Sequence, residues 1–269
     1  MSKSTKRAPT VETSSTPWRD YNVKLTNPQH QELFKRIASR PVKPTKFYDQ
    51  STCQSLLIDD YVGRLCRSLG REPDFFNITP PKTYPRLVLE FMSTLEQIFT
   101  EDDEGLNTSH PYVKLSRANL KKFWYLITGK KNFKPSHYKA SDIVHLALRY
   151  VHSMIVSGAH PKVELGNVGT FDITALLVVA TNMGNDQLPI NFSGHFIDRV
   201  VDIRSKGGSG EIHFGGMVTL IARYVSIPKK TFDTLALPPR SIEGAELLGS
   251  FIVSVLVPHT SMVAQTFFW

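Results

Sequence analysis

The stretch GEIHFGGMVTLIARYVSIP, residues 210–228, decides the fold, because its glycines invite two incompatible readings. A phosphate loop needs G-x-x-x-x-G-K-[ST], with the lysine to reach the phosphates and the hydroxyl to hold Mg²⁺. Here Gly210 and Gly215 are followed by Gly216 and Met217, so the glycine spacing is present and the chemistry is missing. The other reading is packing. Phe214, Met217, Val218, Ile221 and Val225 fall at i, i+3, i+4, i+7 and i+11, one face of a 3.6-residue helix. The segment therefore reads as an apolar helix opened by Gly215 and Gly216, which are glycine because that helix start lies close against a neighbour or takes a positive φ.

Working outward, the same period recurs. A short helix over residues 28–38 is followed by RPVKPTKFYDQ, whose prolines interrupt it. Residues 52–69 carry the stripe Ile58, Tyr61, Val62, Leu65, Cys66 and Leu69, with Ser51 or Thr52 as cap and Gly70 in the place of a C′ glycine. Residues 84–99 repeat it with Leu87, Val88, Phe91, Leu95, Ile98 and Phe99, with Thr83 as N-cap and Pro85 in the first turn. Ser116 caps a helix that turns Leu120, Phe123, Trp124 and Ile127 inward and stops at Gly129. Residues 141–158 place Ile143, Ala147, Tyr150, Val151, Met154 and Ile155 on one face. Residues 172–183 are apolar nearly all round and so belong at the centre, whereas 193–204 are amphipathic. Residues 242–257 read as a last helix, although FIVSVLV is short and β-branched as a buried strand would be.

These stripes predict a mainly α fold, an irregular multi-helix domain over residues 28–269 with little sheet. A disordered basic arm at residues 1–27 precedes it, rich in Ser, Thr, Lys and Pro with almost no large apolar residue before Trp18. The abrupt apolar end, FFW, reads as the edge of a truncated piece of a longer product.

With 269 residues, 41% of them apolar and 21% charged, the chain can bury a sizeable core. Its formal net charge of +8 favours polyanionic partners. No run reaches the roughly 18 to 20 apolar residues of a membrane span, and MSKSTKRAPTVETSSTP lacks the apolar core of a signal peptide. The expectation is an intracellular protein, cytoplasmic or nuclear, with no membrane partner. Cys53 and Cys66, thirteen apart on one predicted helix, neither pair nor complete a zinc site.

Catalytic patterns fail one by one. There is no G-x-S-x-G elbow, and G-x-G-x-x-G breaks at His213. Asp59 and Asp60 lack the aromatic residue of a polymerase signature and point about 100° apart on a helix. His145, Arg149 and His152 read as the solvated basic face of their helix, and the acidic run at residues 101–104 as an exposed loop. His195, Asp198 and Asp202 share a spacing that could suit a metal, but Arg199 and Arg204 are close enough to pair with the carboxylates instead. No catalytic residue, metal or cofactor is expected.

One segment has a different character. Between Arg117 and Arg149 there are eight basic residues against the single acid Asp142, interleaved with Phe123, Trp124, Tyr125, Phe133 and Tyr138. Lysines for phosphates and aromatics for bases are what a single-strand binding surface needs. With Phe123 and Trp124 assigned to the core, Tyr125, Phe133 and Tyr138 are left to stack. The candidate site is Arg117, Lys121, Lys122, Tyr125, Lys130, Lys131, Lys134 and Lys139, and the expected partner is RNA or another single-stranded nucleic acid.

Two blocks carry a family resemblance. TYPRLVLEFMSTLEQIF (residues 83–99) and GEIHFGGMVTLIARYVSI (residues 210–227) resemble, in order and separation, blocks of the first-open-reading-frame proteins of Athila-type plant retrotransposons, long-terminal-repeat elements of the gypsy class. LRYVHSMIVSG (148–158) and FYDQSTCQSLLIDDYVGRLCRSLG (47–70) extend the likeness over residues 46–228. The chain departs from the pattern at residues 102–111, where an acidic stretch replaces a β-like segment. The resemblance implies a helical, Gag-region, non-enzymatic protein with no catalytic residues to carry over, whose expected work is self-assembly and packaging of the element's RNA. A domesticated host nuclear protein that binds DNA or a protein partner is the alternative reading. A transposase or nuclease would need Asp198, Asp202 and a distant acid to converge on Mg²⁺.

Overall fold

Apolar residues at helical spacing need partners for their buried stripes, and the computed structural model supplies them by packing helix on helix. It describes residues 25–67, 79–96, 115–134, 137–162, 164–183, 192–205, 210–227, 236–244 and 247. Among these are nine α-helices: α1 (Pro28–Ile37), α2 (Gln50–Ser55), α3 (Asp59–Arg67), α4 (Pro85–Thr94), α5 (Arg117–Thr128), α6 (Leu146–Met154), α7 (Thr170–Thr181), α8 (Phe192–Ser205) and α9 (Gly215–Tyr224). Strands are confined to two-residue pieces. Residues Lys46–Phe47 (β1) pair in parallel with Arg240–Ser241 (β4), and Tyr138–Lys139 (β2) pair antiparallel with Asn167–Val168 (β3). The mainly α reading holds. The arm up to residue 24, the acidic run at 101–104, Gly70 and nearly all of 242–257 lie outside the described residues.

The core has two parts. In the first, α3, α5, α6 and α7 bring together Leu65, Trp124, Tyr150 and Leu176. Its centre is α7, buried at every position from Asp172 to Ala180, as an all-round apolar sequence requires. In the second, α1, α4, α8 and α9 bring together Phe34, Val88, Met92, Phe196, Phe214 and Val218.

Gly215 and Gly216 open α9 without a positive φ. Close approach is the reason for both. A Cβ on Gly215 would lie 2.3 Å from Thr83 Cγ2, and one on Gly216 would lie 2.8 Å from the Phe47 ring. The Gly216 N–H donates to Thr45 Oγ1 at 2.8 Å. Val225, expected on the buried stripe, is exposed because α9 ends one residue earlier.

Other boundaries move for local reasons. The helix expected over 52–69 is two, separated at Leu57, which sits at φ 56° with its side chain in solvent. Its cap is Asp49, whose carboxylate accepts from the Thr52 N–H at 2.8 Å, so Ser51 and Thr52 lie within α2. Cys53 and Cys66 therefore sit on different helices, both buried as free thiols. Thr83 does not cap α4: Tyr84 holds that position and Thr83 bridges to Leu237. Ser141 lies in a 3₁₀ turn, His145 caps α6 through the Leu148 N–H, and α6 runs on into a π-helical turn at Ile155–Ala159.

The supposedly solvated basic face of α6 is also corrected. Arg149 and His152 are buried. The Arg149 guanidinium donates to the Ile143, Ser141 and Leu247 carbonyls, with Nε to Ile143 O at 2.8 Å, and burial holds its pKa below the usual arginine value. The His152 ring lies 3.8 Å from the fully buried Asp172 carboxylate, which is ion-paired with Lys162 and accepts from the Gly169 N–H at 2.6 Å. Burial works against ionisation of Asp172, but His152, Lys162 and His160 outweigh it and hold its pKa at about 2.

Candidate nucleic-acid interface

The site grows from α5. The Ser116 side chain accepts from the Asn119 N–H at 3.1 Å at one end, and Gly129, left-handed at φ 70°, closes the other. Leu120, Phe123, Trp124 and Ile127 face the core, which leaves Lys121, Lys122, Tyr125 and Leu126 outward. All eight candidate residues, Arg117, Lys121, Lys122, Tyr125, Lys130, Lys131, Lys134 and Lys139, are exposed.

The loop after α5 is held to the helix by one aromatic. Tyr138 stacks on Trp124 with ring centroids 4.0 Å apart and planes 17° from parallel. Its hydroxyl donates to the Asn132 carbonyl at 2.5 Å and accepts from the Lys134 N–H. At the helix end the Val144 N–H donates to Ile127 O at 2.8 Å. The segments carrying Lys130, Lys131, Lys134 and Lys139 are thus fastened beside the outward face of α5.

Charge is unequally available along this surface. Lys130 pairs with Asp142 at 2.6 Å, and Lys139 donates to the Asn167 side chain. Among the described residues no carboxylate pairs with Arg117, Lys121, Lys122, Lys131 or Lys134. The aromatic part of the reading narrows. Tyr138 is buried in its stack and Phe133 is packed against the core, so neither is free for a base, whereas Tyr125 is 46% exposed. Reading residues alone missed the apolar neighbours Leu126 and Val144, both exposed; an apolar residue out of step with the buried stripe was their only signal.

The other candidate sites dissolve on inspection. His195 is buried with its ring 3.9 Å from that of Phe171, and Asp202 pairs with Arg199. Arg204 donates instead to Met92 O at 3.1 Å and Leu95 O at 2.6 Å, closing the carbonyl end of α4. Among the described residues no three His, Cys, Asp or Glu side chains group as metal ligands would, and no helix is long and apolar enough to cross a membrane.

No curated protein and no solved structure matches the chain. A family model does, over residues 106–243, which includes the whole basic surface, the buried α7 and the glycine-opened α9. The match starts after the 83–99 block and runs past 228, so α9 and its glycines carry more of the likeness than α4 does. With more than half of its length covered, the chain belongs to the ATHILA ORF-1 family, and is a retrotransposon-derived protein.

Proposed function

We propose that this chain is a non-enzymatic, Gag-region-like protein that packages its element's RNA through the face of α5 and the loop behind it. The observation that carries the reading is the set Arg117, Lys121, Lys122, Lys131 and Lys134, exposed, without carboxylate partners among the described residues, and adjacent to exposed Tyr125. Cations on an exposed helix face bind phosphates without reading bases, so affinity is electrostatic and weak in sequence preference. Tyr125 adds a stacking platform that any base can use.

Filter binding to a single-stranded oligonucleotide over a salt series tests this. Each phosphate neutralised on a single strand contributes about 0.7 to the slope of log K against log salt, so changing Lys121, Lys122 and Lys131 to Ala flattens the slope by about 2 units. Tyr125→Ala weakens binding by about 1 to 3 kcal/mol at every salt concentration and leaves the slope unchanged. Identical slopes for wild type and the triple variant reject the reading.

Self-association is the companion role, supported by three exposed apolar side chains, Tyr125 and Leu126 on α5 and Val144, whose N–H donates to Ile127 O. Leu126→Ser with Val144→Ser lowers the sedimentation-derived association state if this face joins copies, and leaves it unchanged if another surface does.

A further inference from the structure

Most of the described arginines are committed to partners. Arg40, Arg149 and Arg204 give their guanidiniums to backbone carbonyls, and Arg86, Arg199 and Arg240 lie against carboxylates. Arg64 and Arg67, in the last turn of α3, differ. Both are exposed, and among the described residues neither makes a hydrogen bond or an ion pair. Asp60, one turn before Arg64, does not pair with it, and the Arg64 guanidinium lies over the Tyr61 ring, its carbon 5.3 Å from the ring centre. Tyr61 is half-buried against the first core, with its ring 4.8 Å from that of His145. It holds the guanidinium in place by a cation–π contact. A planar group with one face on a ring keeps its other face and its forked donors for a ligand.

Direct contacts connect this pair to the basic surface of α5. His145, which meets Tyr61, caps α6 through the Leu148 N–H and is fixed there. Its neighbour Val144 donates its N–H to Ile127 O, in the last turn of α5, at 2.8 Å. Tyr125 and Leu126 immediately precede Ile127, and Lys130 and Lys131 follow it. Two contacts, Ile127 with Val144 and His145 with Tyr61, therefore carry the surface from α5 to the arginines of α3.

We propose that a single strand of RNA bound on α5 continues onto α3, where Arg64 and Arg67 take further phosphates and the Arg64 plane stacks on a base. This rests on the RNA reading and extends its site. Guanidinium forks match phosphate oxygens, and the splayed bases of a single strand stack on arginine planes as they do on aromatic rings. A duplex keeps its bases stacked on one another, so only a single strand can use the Arg64 plane.

The test is filter binding of the full chain to single-stranded oligouridylates of about 4 and about 12 nucleotides, within the range that single-strand sites occupy. Arg64→Ala with Arg67→Ala removes two phosphate contacts and flattens the slope of log K against log salt by about 1.4 units on the long oligonucleotide. On the short one, held by the α5 cations without reaching α3, the slope does not change. Arg64→Lys keeps the charge and the slope but loses the plane, and lowers affinity for the long oligonucleotide several-fold. A cation near a helix C-terminus is favoured by the dipole whatever its shape, so equal affinity of Arg64→Lys and wild type overturns the inference. An unchanged slope for the alanine pair on the long oligonucleotide also overturns it, and leaves the RNA reading standing if the Lys121, Lys122 and Lys131 variant still flattens that slope. Unchanged slopes in both variants reject the two together. A loss of slope as large on the short oligonucleotide overturns the continuous path, because the arginines would then hold a strand of their own. Circular dichroism monitors the fold of each variant, and Arg64→Lys carries the test if the alanine pair disturbs α3.

Discussion

At the scale of single residues, the two glycines that open α9 separate steric from conformational causes. Neither has a positive φ, so the strain from a side chain would be contact alone. Gly215→Ala places a methyl 2.3 Å from Thr83 Cγ2, and Gly216→Ala places one 2.8 Å from the Phe47 ring, both within a packed core. Overpacking of this kind costs about 1 to 3 kcal/mol, measured as a lower urea midpoint with an unchanged m-value. Gly158→Ala is the control: its Cβ would meet only the flexible end of Met217, at 3.4 Å, and should cost much less. A second residue-scale effect is electrostatic. Burial lowers the His160 pKa to about 3, with Arg199, Lys162 and His195 adding to the shift and Asp172 opposing it. The unfolded ring titrates near 6.5. Between those values the unfolded state holds a proton that the native state does not, so stability is full above about pH 6.5 and falls as pH drops toward 3. One such group contributes a slope of up to about 1.4 kcal/mol per pH unit. His160→Gln should therefore flatten stability between pH 7 and 5 in urea titrations. His213, lowered by burial in the same sense, keeps the slope from vanishing. An unaltered slope in the variant would show that His160 titrates normally.

At the scale of elements, Tyr138 shows how the basic surface depends on the core. Tyr138→Phe leaves every charge and the stack on Trp124 in place, but removes the hydroxyl that donates to Asn132 O and accepts from the Lys134 N–H. The loss of these bonds should cost about 1 kcal/mol each and speed amide exchange in residues 130–134. RNA affinity should fall with little change in salt slope, because the cations remain but are no longer held beside α5. The same element shows what a sequence can and cannot announce. α5 was legible from Ser116 to Gly129 because cap, stripe and stop all agree, and local signals suffice. The fate of Tyr138 was not, since its partner Trp124 lies fourteen residues earlier and the stack depends on β2 pairing with β3. Arg149 and His152 misled for a related reason. A polar residue opposite an apolar stripe looks solvated until another helix covers it, and what buries these two are the Leu247 carbonyl and the Asp172 carboxylate, both distant in sequence. Leu57 was illegible for a different cause: one left-handed residue split a continuous stripe, and leucine gives no warning of positive φ.

At the scale of the whole molecule, the chain passes back and forth between its two cores. The first draws on residues 53–66, 115–183, 192 and 242–247, the second on 34–38, 87–92 and 196–222. Three pairings tie distant parts together: Val42 with Ile212, Lys46 with Arg240, and Thr83 with Leu237. The family match over 106–243 contains α5 through α9 but none of α1 to α4. In isolation, that stretch would leave Phe196, Val200, Phe214 and Val218 facing water where Phe34, Ile37, Val88 and Met92 now cover them. Each large apolar side chain so exposed forfeits about 1.5 to 3 kcal/mol, and four of them exceed about 6 kcal/mol, comparable to the whole net stability of an ordinary domain, about 5 to 15 kcal/mol. A fragment limited to residues 106–243 should therefore lack a cooperative urea transition and bind apolar dye, whereas the full chain unfolds in one sigmoidal step. Cooperative unfolding of that fragment, with the native circular dichroism of its helices, would mean that α1 and α4 are an accessory cover and that the stretch matched by the family model is a self-sufficient folding unit.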